Sequence, residues 1–394
     1  MMKVSSRLAA IQGSVTLAID AKAKAMKAAG IDVIGFGAGE PDFNTPAHIC
    51  QAAKDALDQG KTRYTPAAGE PALRKAICSK LLRDNGLSYT PDQIVVNNGA
   101  KHSLFNAFQA LLEPGDEVLV PSPYWVSYPE LIKMAGGIPV AVMGDPENGF
   151  KTTALQFRNA ITPKTRAIVL NSPNNPNGYV YTRGELEQIA QLLEDFDLYC
   201  VSDEIYEFLV YEGAEHISIA SISPQAKERT IVINGFSKAY SMTGWRMGYV
   251  CGPKELISAM TKLHQYGIMS APTTSQYAAI EAMENGDRDI ENMREEYDGR
   301  RRFLVDGFRK LGLDCFEPRG AFYTFPCVKS TGLSSEEFCE RLIVEEKVAV
   351  IPGTAFGPGG EGYVRACYAA SMRDLGEALS RMGHFLENLK NSRV

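Results

Sequence analysis

The chain has 394 residues, is 45% hydrophobic and 22% charged, and carries a formal net charge of -6. That length predicts two domains rather than one small core, and the ordinary composition reads as a soluble globular protein. The acidic balance argues against nucleic acid or an anionic membrane as the main partner, and no apolar run reaches membrane-spanning length.

Residues 1–45 contain one helical pattern, "SVTLAIDAKAKAMKAAG", stopped at Gly30, and then a glycine-rich loop. They are too short for a domain and are expected to pack on the C-terminal unit. The first twenty residues lack the apolar core and cleavage site of a signal peptide. From residue 46 to 290, apolar runs alternate with helical patterns. The strand candidates are "QIVVNNG", "DEVLVPSP", "IPVAV", "RAIVLNSP", "LYCVSDE", "TIVING" and "RMGYVCG". Short, nearly all-apolar strands between helices predict a mainly parallel seven-stranded sheet buried on both faces, an α/β fold. The charged pattern "DRDIENMREEYDGRRRFLVDGFRKLG" reads as a helix leaving that sheet. Residues 291–394 then give a smaller α+β unit, from "GAFYTFPCV", "VAVIPG", "GYVRACYAA" and a C-terminal helix. Eight cysteines, none in a CxxC pair, read as reduced core residues of a cytoplasmic protein. The five histidines are far apart in sequence, so no metal site is expected.

In open α/β sheets, ligands sit beyond the carboxyl ends of the strands. Here those ends are polar. "NNGAKHS" offers Gly99 and Ala100 as backbone donors at a helix N-terminus, "NSPNNPNG" offers Asn175, "VSDEIY" offers Asp203 and Tyr206, and "INGFSK" offers Ser237 and Lys238. Arg246 stands where a further strand begins. Taken singly, each has an ordinary explanation: a solvated cap, a turn, a surface cation. Together they match the needs of pyridoxal 5′-phosphate. Its aldehyde needs a lysine amine, whose neutral form nearby cations such as Arg246 favour. Its ring nitrogen needs a carboxylate so that the ring accepts electrons. Its phosphate needs backbone donors and an arginine, and its ring oxygen an amide or phenol.

"SKAYSMTGWRMGY", "NSPNNPNG", "VSDEIY", "YTPAAGEPALR" and "GFGAGEPDFNTP" resemble the class I, fold-type I pyridoxal-phosphate aminotransferases over essentially the whole chain, and within them subgroup Ib, the bacterial aspartate and aspartate/prephenate aminotransferases. The resemblance implies that Lys238 holds the cofactor covalently and shuttles the proton. It implies that Asp203 pairs with the ring nitrogen, that Tyr206 and Asn175 bond the ring oxygen, and that Trp125 stacks on the ring. Gly99, Ala100, Ser237 and Arg246 would hold the phosphate. Tyr64 would reach it from a neighbouring subunit, making a homodimer with shared sites. Arg365 and the Gly39 backbone would grip the substrate α-carboxylate.

Lys101 sits in the first turn of a helix, where a cation is disfavoured, so an anion is expected beside it. In the resembling subgroup that anion is the distal carboxylate of a dicarboxylic substrate, met also by the hydroxyls that fall here on Ser14 and Thr16. The implied reaction moves the amino group of L-aspartate to 2-oxoglutarate, giving oxaloacetate and L-glutamate. Prephenate, aromatic or neutral amino-acid transamination and a β-lyase remain open, because cofactor residues do not separate them. A nicotinamide dehydrogenase fails on spacing, since "GFGAGEPDF" is G-x-G-x-G and leads to no helix. A non-catalytic regulator of transcription fails for want of a DNA-binding appendage or basic face. Two departures from the family pattern are Asn177, where a Thr is usual, and Ala366-Cys367 beside Arg365.

Overall fold

The computed structural model describes residues 5–37 and 39–392. Ser14 caps the helix Val15–Ala28, accepting from the Leu17 amide. The helix buries Ala23 against Val33, Ile343 and Ala349. A two-residue strand, β1 (Ile34–Gly35), follows where the sequence predicts only a loop.

All seven predicted strands of the middle region form in one sheet. They are β2 (Ile94–Asn97), β3 (Glu117–Ser122), β4 (Ile138–Met143), β5 (Thr165–Asn171), β6 (Tyr199–Asp203), β7 (Thr230–Gly235) and β8 (Gly248–Cys251), in the order β2-β8-β7-β6-β5-β3-β4. β3 to β7 pair in parallel, whereas β8 is antiparallel to both β7 and β2. Every residue of β2, β7 and β8 is buried, as strands covered by helices on both faces must be. Because β8 runs backwards, its start at Gly248 lies beside the ends of β7 (Gly235) and β2 (Asn97). One reversed strand thus delivers Arg246 to the edge where the parallel strands deliver their terminal residues.

The helix Asp287–Lys310 runs through the expected boundary at residue 290. Beyond it, β9 (Tyr323–Thr324) and β11 (Ile351–Pro352) flank β12 (Val364–Cys367) in a small antiparallel sheet, while β10 (Val348–Ala349) pairs in parallel with β1. The N-terminal segment therefore adds a strand to the C-terminal region. "VAVIPG" is divided between two sheets, a break that a six-residue apolar run does not reveal. The helix Met372–Asn391 closes the chain. One buried cluster joins Tyr206, Leu209 and Tyr211, downstream of β6, to Phe322, Tyr323 and Tyr368 of the C-terminal region, so the end of β6 lies where the two regions meet. All eight cysteines are free thiols. No helix among the described residues is long and apolar enough to cross a membrane.

Candidate active site

The sheet's carboxyl edge, the Val15–Ala28 helix and β12 enclose a cavity of about 450 Å³. All the residues singled out from the sequence line it except Gly99 and Tyr64.

Asp203 ends β6 at 3% exposure, not as a solvated cap. Burial raises its pKa to about 6, and two donors limit the rise: the Tyr128 hydroxyl, 2.7 Å from Oδ2, and the Ile205 amide, 3.3 Å from Oδ1. Asn171, at the end of β5, steadies two neighbours. Its Nδ2 donates to the Asp203 carbonyl at 3.0 Å, and its Oδ1 accepts from the Asn175 amide at 2.8 Å. Lys238 is half-buried three residues beyond the end of β7 and donates to the Gly39 carbonyl. Its pKa is pulled down to about 8. Burial is the first cause, and Arg365 adds to it while Asp203 and Glu40 oppose it. Arg246, the cation expected to have this effect, is not among the causes. The Tyr206 hydroxyl lies 2.8 Å from that of Tyr323, whose side chain also underlies Arg365.

The anion cradle is a matter of close backbone approach. Gly99, with φ +83°, caps the helix Ala100–Leu111, and a Cβ there would come within 2.6 Å of the Arg246 guanidinium. A Cβ on Gly248 would come within 2.5 Å of the Ala100 amide nitrogen. Arg246 itself has φ +55°, a conformation costing about 1–3 kcal/mol for a side-chain-bearing residue. Its Nη1 donates to the Thr243 carbonyl at 2.8 Å and its Nη2 to that of Asn98 at 3.4 Å. Buried Ser237 completes this wall.

Arg365, on β12, is 2% exposed. Its Nη1 donates to Asn175 Oδ1 at 2.9 Å and its Nη2 to the Gly37 carbonyl at 2.7 Å, while its Nε is buried without a partner among the described residues. Its guanidinium stacks 4.4 Å from the Tyr323 ring and 4.9 Å from that of Phe356. A buried cation whose partners are neutral oxygens calls for an anion.

At the mouth, the exposed Lys101 ammonium stands 4.9 Å over the half-buried Trp125 ring, which packs edge-on against Tyr128. Its pKa is lowered by partial burial and then by Arg246, and no carboxylate contributes. The anion expected beside Lys101 is therefore not supplied by the described residues. Ser14 and Thr16, with hydroxyls 2.9 Å apart, line the same cavity, so Ser14 combines helix capping with a place at the site. Tyr64 is 82% exposed and does not line this cavity.

Tyr128, Tyr323 and Asn171 escape sequence reasoning, because through-space neighbours define them. Only Tyr128 gives a signal, three residues after Trp125 at a helix start. The donor set fits pyridoxal phosphate: a backbone-and-arginine cradle at one edge, a buried carboxylate held by a phenol at the base, and a lysine amine of lowered pKa between them.

Residues 31–382 match the family described as aminotransferase class I and II. The chain belongs to that family and is an aminotransferase. Among its relatives, the aspartate aminotransferase of Bacillus sp. (strain YM-2) is 50% identical over 390 residues, covering 98% of this chain and 99% of that protein. The aspartate/prephenate aminotransferase of Thermus thermophilus is 47% identical over 389 residues, covering 98% and 99%. Among solved structures, Thermus thermophilus aspartate aminotransferase with maleate aligns with a TM-score of 0.94 at 47% identity, covering 98% of this chain and 100% of that one.

Proposed function

We propose that this aminotransferase uses pyridoxal 5′-phosphate to move the amino group of L-aspartate to 2-oxoglutarate, giving oxaloacetate and L-glutamate. The observation that carries the reading is a pocket lined by two cations beyond those read as cofactor residues, the buried Arg365 and the exposed Lys101 with Ser14 and Thr16 beside the same cavity. A substrate with two carboxylates satisfies both. The names of the Bacillus and Thermus relatives, and the dicarboxylate maleate in the Thermus structure, support it. When bound, the cofactor supplies a protonated ring that accepts the electrons left as the substrate Cα loses its proton.

The chain's own residues would do the rest. Asp203 would keep the ring nitrogen charged, and that charge would offset the burial that raises the carboxyl. Tyr206 and Asn175 would bond the ring oxygen, Trp125 would cover the ring face, and Gly99, Ala100, Ser237 and Arg246 would hold the phosphate. Lys238, with its lowered pKa, would take up the proton as a neutral amine and return it as an ammonium. Arg365 and Gly39 would fix the α-carboxylate. We further propose a homodimer in which Tyr64 completes the partner's phosphate site. We assign residues 46–290 to a large cofactor domain, 291–394 to a small one on which 1–45 pack, and the protein to the cytoplasm.

Prephenate also carries a second carboxylate, and the Thermus relative's name favours it as a second substrate. The test is a panel of amino acids and 2-oxo acids followed by half-reaction spectroscopy, with ammonia assayed in parallel. Turnover of aspartate with 2-oxoglutarate and no ammonia is expected; ammonia release without an amino acceptor would replace this reading with a lyase.

A further inference from the structure

The turn after β6 has two faces. Asp203 and Tyr206 line the cavity. Glu204 and Glu207, each one residue further on, are buried but do not line it. Asp203 and Tyr206, with Ile205 between them, thus look into the pocket, while Glu204 and Glu207 look away.

On the far side the two glutamates enter adjoining buried polar clusters. Glu207 Oε1 accepts from the Lys80 ammonium and, at 2.7 Å, from Asn234 Nδ2, and its Oε2 accepts from Asn85 Nδ2 at 3.0 Å. Glu204 Oε1 accepts from the hydroxyls of Ser202 at 2.8 Å and Ser218 at 2.7 Å, and its Oε2 lies 3.1 Å from His216 Nε2. Lys80 is 2% exposed, on the helix Pro71–Asn85, and also donates to Asn85 Oδ1 at 2.8 Å. Burial opposes ionisation of Glu207, but Lys80 and the hydrogen bonds hold its carboxyl below the usual range. The scatter of histidines along the chain gives no hint of this cluster, in which Glu204, Glu207 and His216 bring oxygen and nitrogen atoms within 4.8 Å of one another. Each carboxylate oxygen already has a protein partner, and Lys80 is its cation.

Stability does not explain such a network, since apolar residues of similar volume commonly replace a buried ion pair without loss. Geometry does. Main-chain bonds tie the turn at the Glu204 amide (to the Ile233 carbonyl, 2.8 Å), the Glu207 amide (to that of Glu204, 2.9 Å) and the Tyr206 carbonyl (from the Leu209 amide, 2.8 Å), and the two glutamate side chains tie its far face to the rest of the fold. We propose that the Lys80–Glu207 pair, with Glu204 and His216 beside it, acts as a positioning device for transamination, fixing the rotation of the 203–207 turn and so the aim of Asp203 and Tyr206. This rests on the reading of those two residues as cofactor partners.

The experiment compares Glu207→Gln, Lys80→Met, the double variant K80M/E207L and Asp203→Asn as holoenzymes. It reads kcat and KM for aspartate, the pH midpoint of the visible absorption change, and Tm. Each single network variant should lower kcat about tenfold with KM within about threefold, and displace the midpoint. The double variant should regain Tm but neither kcat nor the midpoint. Single variants that lose Tm yet keep a wild-type kcat and midpoint well below it would overturn the proposal, as would a double variant that restores all three together. Where the single variants do not fold, the double variant decides by the same two readings. Should Asp203→Asn alone be impaired, only the positioning role falls. Should Asp203→Asn also match the wild type, the site assignment falls and takes the positioning role with it.

Discussion

At the floor of the pocket, Asp203 is held from three sides by Tyr128, Ile205 and Asn171, on a strand buried between two others. At the mouth, Lys101 is exposed and rests on the Trp125 ring, facing a helix that meets the rest of the chain through Ala23 and a few apolar neighbours. The floor is overdetermined and the mouth sparsely tied. Groups that must hold a cofactor to a fraction of an ångström belong on rigid strand ends. Groups that choose among substrates need only meet a charge, which the exposed Lys101 does from the first turn of the Ala100–Leu111 helix, and Ser14 and Thr16 from the sparsely packed helix Val15–Ala28 and its cap. Chemistry and choice are thus housed in different parts of one cavity.

The sharpest way to break the contrast is at the floor. Lys238→Ala should slow the aspartate half-reaction by roughly 10³-fold or more, measured by rapid-scan absorbance. A rate within about tenfold of wild type would hand proton transfer to another group. The same lysine gives a pH test. Only its neutral amine attacks an aldehyde, and burial brings its pKa to about 8, so cofactor uptake by the apoprotein should rise with pH through a midpoint near 8. A midpoint at the solvated-lysine value of about 10.4 would mean that burial does not act on this amine. Asp203→Asn comes next, with a loss of roughly 10²–10³-fold in kcat for every amino acid alike.

Effects at the mouth should be smaller and selective. Lys101→Ala removes a charge-assisted contact of about 1.5–3 kcal/mol. It should lower kcat/KM for aspartate at least about tenfold while alanine changes little, as steady-state assays on both substrates would reveal. Equal losses would return Lys101 to the phosphate. Thr16→Val leaves the Ser14 cap in place and removes one neutral hydrogen bond. It should cost about 0.5–1.5 kcal/mol, a few-fold in the aspartate kcat/KM, with unchanged helical circular dichroism.

The floor was also the more legible region. Strands β2, β3 and β5 to β8 announce themselves because both faces are buried, which leaves uninterrupted apolar runs bounded by polar ends, whereas the edge strand β4 is apolar but mostly unburied. The motif residues stand at those ends, so topology alone gathers them. What the sequence hides is whatever proximity rather than pattern defines. β1 and β10 have two residues each, too few for any period to show. Tyr128 and Tyr323 act on residues 75 and 117 positions away. The run "VSDEIYEF" looks like a solvated acidic turn, yet the fold buries its carboxylates and sends Asp203 into the pocket and Glu204 and Glu207 away from it. Arg365 reads as an ordinary strand arginine until β11 and β9 close over it.

The separation of chemistry from choice rests on one ratio, kcat/KM for aspartate over kcat/KM for alanine, measured in the wild type, Asp203→Asn and Lys101→Ala. Asp203→Asn should lower both terms together and leave the ratio within about threefold, whereas Lys101→Ala should collapse it by about tenfold or more. A ratio that falls as far in Asp203→Asn as in Lys101→Ala, or that moves in neither, would contradict the division between floor and mouth.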